Sequence, residues 1–172
     1  AHGMLGVHLL HNGLLTPTNL SAADDLGYYR LPDSEPAGLY TPRTGCRCGS
    51  LELIQLVYTV AVSWSGQHPG SPLRMGDFNG HNPPHVSHAN GVDVDLSVGH
   101  LTTDQRIDLG IRLVDTGIIK LILYSGGDLD SVRSEVEQRS GTNTVRHWPN
   151  HNTHYHIRIL DIFRGPTSRR CN

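Results

Sequence analysis

Gly91-Val92-Asp93-Val94-Asp95-Leu96-Ser97-Val98 is the stretch on which the fold turns. Successive side chains of a β-strand point to opposite faces, and this stretch alternates without a break. Val92, Val94, Leu96 and Val98 therefore share one face, and Asp93, Asp95 and Ser97 share the other. The apolar face belongs in a core. The polar face sets two carboxylates side by side on an open surface, a few residues after His88. His154-Tyr155-His156-Ile157-Arg158-Ile159 repeats the pattern, with Tyr155, Ile157 and Ile159 inward and His154, His156 and Arg158 on the opposite side. Two strands thus carry polar stripes rich in histidine and aspartate.

The rest of the chain supplies what such strands pack against. Leu53, Leu56, Val57, Val60, Ala61 and Trp64 recur at three- and four-residue spacing after Ser50, a capping residue, and before Gly66, which predicts an amphipathic helix. A second helix begins at Thr102 or Thr103, uses Ile107, Ile111 and Val114, and stops at Gly117. A polar third runs from about Asp130 to Arg139. Short strands are expected at Leu73 to Met75, Ile118 to Tyr124, Thr144 to His147 and His154 to Leu160, with Ser125-Gly126-Gly127 as a turn. Helices and strands do not strictly alternate, so the fold class is α+β, with a small central antiparallel sheet of about four strands and flanking helices. Turn-forming pairs such as Thr16-Pro17, Pro32-Asp33 and Thr41-Pro42 mark the first 45 residues as an irregular arm with a weak hairpin around Tyr28 to Leu31. The chain reads as a single domain: arm 1–45, core 46–163, tail 164–172.

Composition narrows the function. A formal charge of -2 removes the electrostatic basis for nucleic-acid binding, and no apolar run reaches the length of a membrane span. No secretory signal is recognisable in this chain, so an exported protein would be the mature form or use another route. The cysteines, Cys46, Cys48 and Cys171, are either reduced thiols or include a bridge from Cys46 or Cys48 to Cys171. Histidine is the outlier: seven of the 12 fall within residues 81–88 and 147–156.

Clustered, internally spaced histidines beside aspartates point to metal. A His and an Asp from one segment and a His from another give three protein ligands and leave one position for water, the arrangement of a catalytic zinc. Amide hydrolysis is the natural reaction of such a site. The helical His-Glu-x-x-His signature is absent.

The residues Gly76-Asp77, then Pro83-Pro84-His85-Val86-Ser87-His88-Ala89-Asn90-Gly91-Val92-Asp93-Val94-Asp95, resemble the penicillin-insensitive murein endopeptidases, which carry Gly-Asp and Pro-x-His-x-Ser-His-x-x-Gly-x-Asp-x-Asp. His151-Asn152-Thr153-His154-Tyr155-His156-Ile157-Arg158 is similar to that family's His-x-x-His-aromatic-His-x-Arg. The resemblance covers about residues 50–162 and extends to a wider group with lysostaphin-type peptidases, D-alanyl-D-alanine peptidases and the hedgehog signalling domain. It implies a hedgehog/D-Ala-D-Ala peptidase-like fold and one zinc ion on His88, Asp95 and His156 plus water. His154 and His151 would manage the proton, and His85, Asp93 and Arg158 would be accessory or substrate-binding residues. Dipeptidases of the wider group place a Glu three residues before the last ligand. Thr153 stands there instead, so a histidine is the expected base.

Asp93 is expected to hydrogen-bond a ligand or a loop N–H. Arg158 either captures a substrate carboxylate or forms an ordinary ion pair. Trp148-Pro149 either shapes a groove or packs inside, and His2, His8, His11, His68, His81 and His100 are expected at the surface or in turns. The implied activity is zinc-dependent hydrolysis of D-amino-acid-containing cross-linking peptides of murein, in the periplasm or outside the cell. The chain is plausible as a monomer, with an inhibitor or immunity protein as partner if it is a delivered toxin. The alternatives are a non-catalytic zinc-containing binding module of the hedgehog type and a D,D-carboxypeptidase or dipeptidase.

Overall fold

The computed structural model describes residues 14–23, 27–33, 38–41, 47–78, 88 and 90–166. Its centre is a six-stranded sheet of β3 (Tyr40–Thr41), β5 (Leu73–Met75), β6 (Asp93–Ser97), β9 (His154–Ile159), β7 (Ile119–Tyr124) and β8 (Val145–His147), in that spatial order. The middle four strands, β5-β6-β9-β7, are mutually antiparallel, as expected. The sheet is larger than the four strands expected, because β3 joins β5 and β8 joins β7 as parallel edges. β3 has only two residues, too few for any periodicity to show. β1 (Ser21–Ala22), β2 (Tyr29–Arg30) and β4 (Cys48–Gly49) form a separate small antiparallel sheet. The described parts of the arm are therefore built into the fold, and its Leu14, Tyr28, Leu31, Leu39 and Tyr40 are buried.

Three helices bury their apolar faces in the core shared with the inner face of the large sheet. α1 (Leu51–Gln67) is capped by Ser50, whose Oγ accepts the Leu53 N–H at 3.3 Å, and it buries Leu53, Ile54, Leu56, Val57, Val60, Ala61 and Trp64. It runs through Gly66 rather than stopping there. His68 caps its end, stacking on Trp64 and bonding Asp108 at 2.8 Å. α2 (Thr103–Asp115) opens with a reciprocal Thr102–Gln105 capping box. α3 (Leu129–Ser140) lies close against it at Gly110, where a Cβ would come within 2.6 Å of Val136 Cγ2.

A polar cluster ties α2 to the end of β7. The Arg106 guanidinium donates to Asp128 at 2.7 Å, the Tyr124 hydroxyl donates to the other Asp128 oxygen at 2.7 Å, and the Tyr155 hydroxyl donates to the Arg106 carbonyl at 3.0 Å. Burial and the Asp128 bond push the Tyr124 hydroxyl up to about 12. Burial works against the Asp128 charge, yet its bonds from Tyr124 and Arg106 prevail and hold it at about 2. Cys48 is disulfide-bonded, which excludes the reduced reading for this residue. Its partner lies outside the described residues. Among the described residues, no helix is long and apolar enough to cross a membrane.

Candidate metal centre

The register of the two central strands brings the polar stripes face to face. Asp93 lies opposite Arg158, Asp95 opposite His156 and Ser97 opposite His154. Directly opposed side chains on neighbouring strands share a face and touch. Val94, Leu96, Tyr155, Ile157 and Ile159 are buried on the core side, as the alternation requires. One expectation needs correction: the polar face is not uniformly open. Asp93 is fully buried, because Arg158 and His156 both close over it.

His88, Asp95 and His156 converge with their ligand atoms all within 4.8 Å of one another. Asp95 Oδ1 lies 3.1 Å from His156 Nδ1 and 3.6 Å from His88 Nε2. Ligands about 2.1 Å from a tetrahedral ion stand about 3.4 Å apart, so these spacings bracket the required value. The donor set of two imidazoles and one carboxylate suits a borderline-soft divalent cation. This buried His-Asp-His group can hold a metal ion.

The other nitrogen of His156, Nε2, lies 3.0 Å from Asp93 Oδ1, which leaves Nδ1 to face Asp95 and His88. Asp93 is itself gripped by Arg158, from Nε at 2.7 Å and from the terminal nitrogen at 3.2 Å. A carboxylate that holds the far nitrogen of a ligating histidine fixes its tautomer and ring direction. Asp93 thus stands behind a ligand, and the Arg158 guanidinium is directed to Asp93.

Electrostatics follow from this crowding. Burial disfavours the His156 charge, but its bonds to Asp93 and Asp95 outweigh that and raise its pKa to about 9. For Asp95, burial acts upward, while the His156 bond and the nearby His88 and His154 prevail and hold its pKa below the usual carboxylate value. Burial lowers His88, with Asp95 opposing and the His156 charge adding to the fall. Burial also lowers His154, opposed by Asp95 and assisted by His151 and His156.

His151 and His154 form the second half of the cluster. Their ring centroids lie 4.6 Å apart, and the His151 ring is 5.7 Å from that of His156. His88 meets His156 edge-on at 4.7 Å. Of the eight residues singled out from the sequence, seven lie in or beside this cluster, and His85 falls outside the described residues. Trp148, three residues before His151, is 56% exposed and does not pack inside.

Two positioning features have no assigned role in the sequence reading. Gly76 N donates to the Asp95 carbonyl at 2.7 Å and Asp95 N to the Asp77 carbonyl at 2.8 Å, and a Cβ on Gly76 would lie 2.9 Å from that of Asp95. The Gly-Asp motif is therefore the backbone brace of the carboxylate ligand. Ser125 braces His151 in the same way: its Oγ accepts the His151 N–H at 3.0 Å, and its own N–H donates to the His151 carbonyl at 2.9 Å. A serine opening a Gly-Gly turn after a buried strand was the only signal for it. Compared with known families and with curated proteins, the chain matches no family model and no curated relative.

Proposed function

We propose that the protein is a zinc-dependent peptidoglycan endopeptidase that cleaves amide bonds in the D-amino-acid-containing cross-links of bacterial murein. The observation that carries this reading is the histidine cluster around His88, Asp95 and His156. Three residues, His88, Asp95 and His156, fit one metal, and two further histidines, His151 and His154, lie beside them with no place in the ligand set. A closed structural site uses four protein ligands and has no need of such neighbours. The resemblance to the penicillin-insensitive murein endopeptidases supplies the substrate class.

His88, Asp95 and His156 would hold the zinc, which supplies Lewis-acid activation of water and of the scissile carbonyl. The chain's own residues do the rest. Asp93 and Arg158 keep the His156 ring turned so that Nδ1 faces the other ligands. His154, held on β9 one pleat from His156, takes the proton from the attacking water and returns it to the leaving amine. His151, fixed by Ser125 and by its Nδ1 contact with the Pro149 carbonyl at 2.8 Å, orients His154 or shares the proton. Murein lies outside the cytoplasmic membrane, so the reading places the enzyme in the periplasm or outside the cell, where the Cys48 disulfide persists.

The test is digestion of purified cross-linked muropeptide dimers with mass analysis of the products. Conversion to monomers should stop with a chelator and return with zinc. His156→Ala should abolish conversion, and His154→Ala should cost a hundredfold or more in turnover while zinc stays bound. Zinc binding without cleavage of any muropeptide would instead indicate a binding module of the hedgehog type. Release of terminal residues alone would indicate a carboxypeptidase or dipeptidase.

A further inference from the structure

The sheet register places an arginine on each flank of the histidines, on the same face. Arg74 stands on β5 between the buried Leu73 and Met75 and is itself exposed. Ser97 lies directly opposite it on β6, and His154 directly opposite Ser97 on β9. Arg74, Ser97 and His154 therefore form one row across the site face, with about 10 Å between the first and last Cα. The far side mirrors this arrangement. Leu123 of β7 lies opposite His156, and the exposed Arg146 of β8 lies beside Leu123, again about 10 Å from its histidine.

Seven other arginines of this chain, Arg47, Arg106, Arg112, Arg133, Arg139, Arg158 and Arg164, pair with aspartates. Neither flanking arginine pairs with a carboxylate among the described residues. The Arg146 Nε donates to the Asn143 carbonyl at 2.9 Å. The charge of Arg74 is felt by His100, whose pKa is lowered by burial first and then by Arg74 and Arg106. Between the two arginines the face holds the histidine cluster and the half-buried Leu121 and Leu123.

We propose that Arg74 and Arg146 are carboxylate anchors, and that the face takes an extended peptide bearing a carboxylate on each side of the bond presented to His154 and His156. The inference rests on reading this face as a peptide-cleaving site. An extended chain advances about 3.3 Å per residue, so each anchor reaches a carboxylate about three residues' length from that bond. Guanidinium is suited to the role because its planar fork matches carboxylate geometry.

The test separates this inference from the peptidase reading by measuring binding apart from turnover. A cross-linked muropeptide dimer with free carboxylates, and the same dimer with its carboxyl groups converted to carboxamides, are titrated calorimetrically into chelator-treated protein. The acid form should bind about tenfold or more tightly than the amide. Arg74→Gln and Arg146→Gln should each cut that preference severalfold, and the double variant should remove it. Both positions are exposed, so melting temperatures should match the parent protein. Equal binding of the two dimers, binding of neither, or a full acid preference in the double variant would overturn the inference. A carboxylate preference lost in the variants, from a protein that cleaves neither dimer, would uphold the anchors and remove the peptidase reading.

Discussion

Replacing Gly76 with alanine should weaken metal binding without touching a ligand. A Cβ at this position would stand 2.9 Å from the Asp95 Cβ and 3.2 Å from the Asp95 carbonyl oxygen. Carbon atoms are at ease about 3.5–4.0 Å apart, so the new methyl demands about 0.6–1 Å of movement. Neither atom it meets is the free end of a flexible side chain. Either the strand end at Gly76 and Asp77 lifts away, straining the paired hydrogen bonds at 2.7 and 2.8 Å, or Asp95 is pushed along β6. Overpacking of this kind costs about 1–3 kcal/mol, which for a chain of this size lowers the melting temperature by about 2–12 °C.

The metal should be more sensitive than the fold. Distances at a metal site tolerate about 0.2 Å, and a carboxylate moved by several times that no longer sits between His88 and His156. Zinc affinity, measured by competition with a chromophoric chelator, should fall at least tenfold. Gly66→Ala is the matched control, because a Cβ there meets nothing within 4 Å and the residue lies within α1. It should leave zinc affinity unchanged and stabilise the helix by about 0.5–1 kcal/mol. A Gly76→Ala protein with parental melting temperature and parental zinc affinity would refute the bracing role.

Asp93→Asn keeps the shape of the side chain but removes the charge that faces Arg158 and His156. It should destabilise the protein by about 3 kcal/mol in urea unfolding and weaken zinc binding about 10- to 100-fold by chelator competition. Asp128 sets an acid limit on the fold. A carboxyl held at about 2 instead of 3.8 contributes about 2 kcal/mol. Its folded pKa is depressed, so that contribution is present above the ordinary carboxylate pKa and is lost as pH falls through about 2. Urea midpoints between pH 6 and pH 2 should show the loss, and Asp128→Asn should flatten that part of the profile. A variant whose acid profile matches the parent protein would contradict the assignment.

Period-two alternation made the faces of β6 and β9 legible, because the direction of a side chain on a strand depends only on its own position. Register is different, since it depends on which residue of a neighbouring strand lies opposite, and nothing local encodes it. Asp95 and His156 could be placed on faces from sequence, whereas their opposition appears only once the strands are paired, and the approach of His88 from the preceding segment had no periodicity to show it. The same limit explains β3 and the pairing of β8. Tyr40-Thr41 is too short to declare itself and becomes a strand against β5, whereas Val145–His147 lies where a strand was expected and only its parallel pairing with β7 had no local signal. α1 outran its expected stop because Gly66 meets no obstacle, and the helix continues until His68 finds Trp64 and Asp108.

Arg158 shows what such a limit does to a functional assignment. Alternation puts it on the polar face beside two histidines, where it suits either a substrate carboxylate or a neighbouring one. What separates the two roles is the residue opposite it. Asp93 lies there, fully buried, and an ionised carboxylate without a cationic partner in that position would cost several kcal/mol. Arg158 therefore completes the support of His156. A carboxylate on a bound peptide must then be met by cations whose own opposite residue is neutral. Among the described residues of this face those are Arg74, opposite Ser97, and Arg146, beside Leu123. The charge that reads a ligand is the one the sheet leaves without an internal carboxylate.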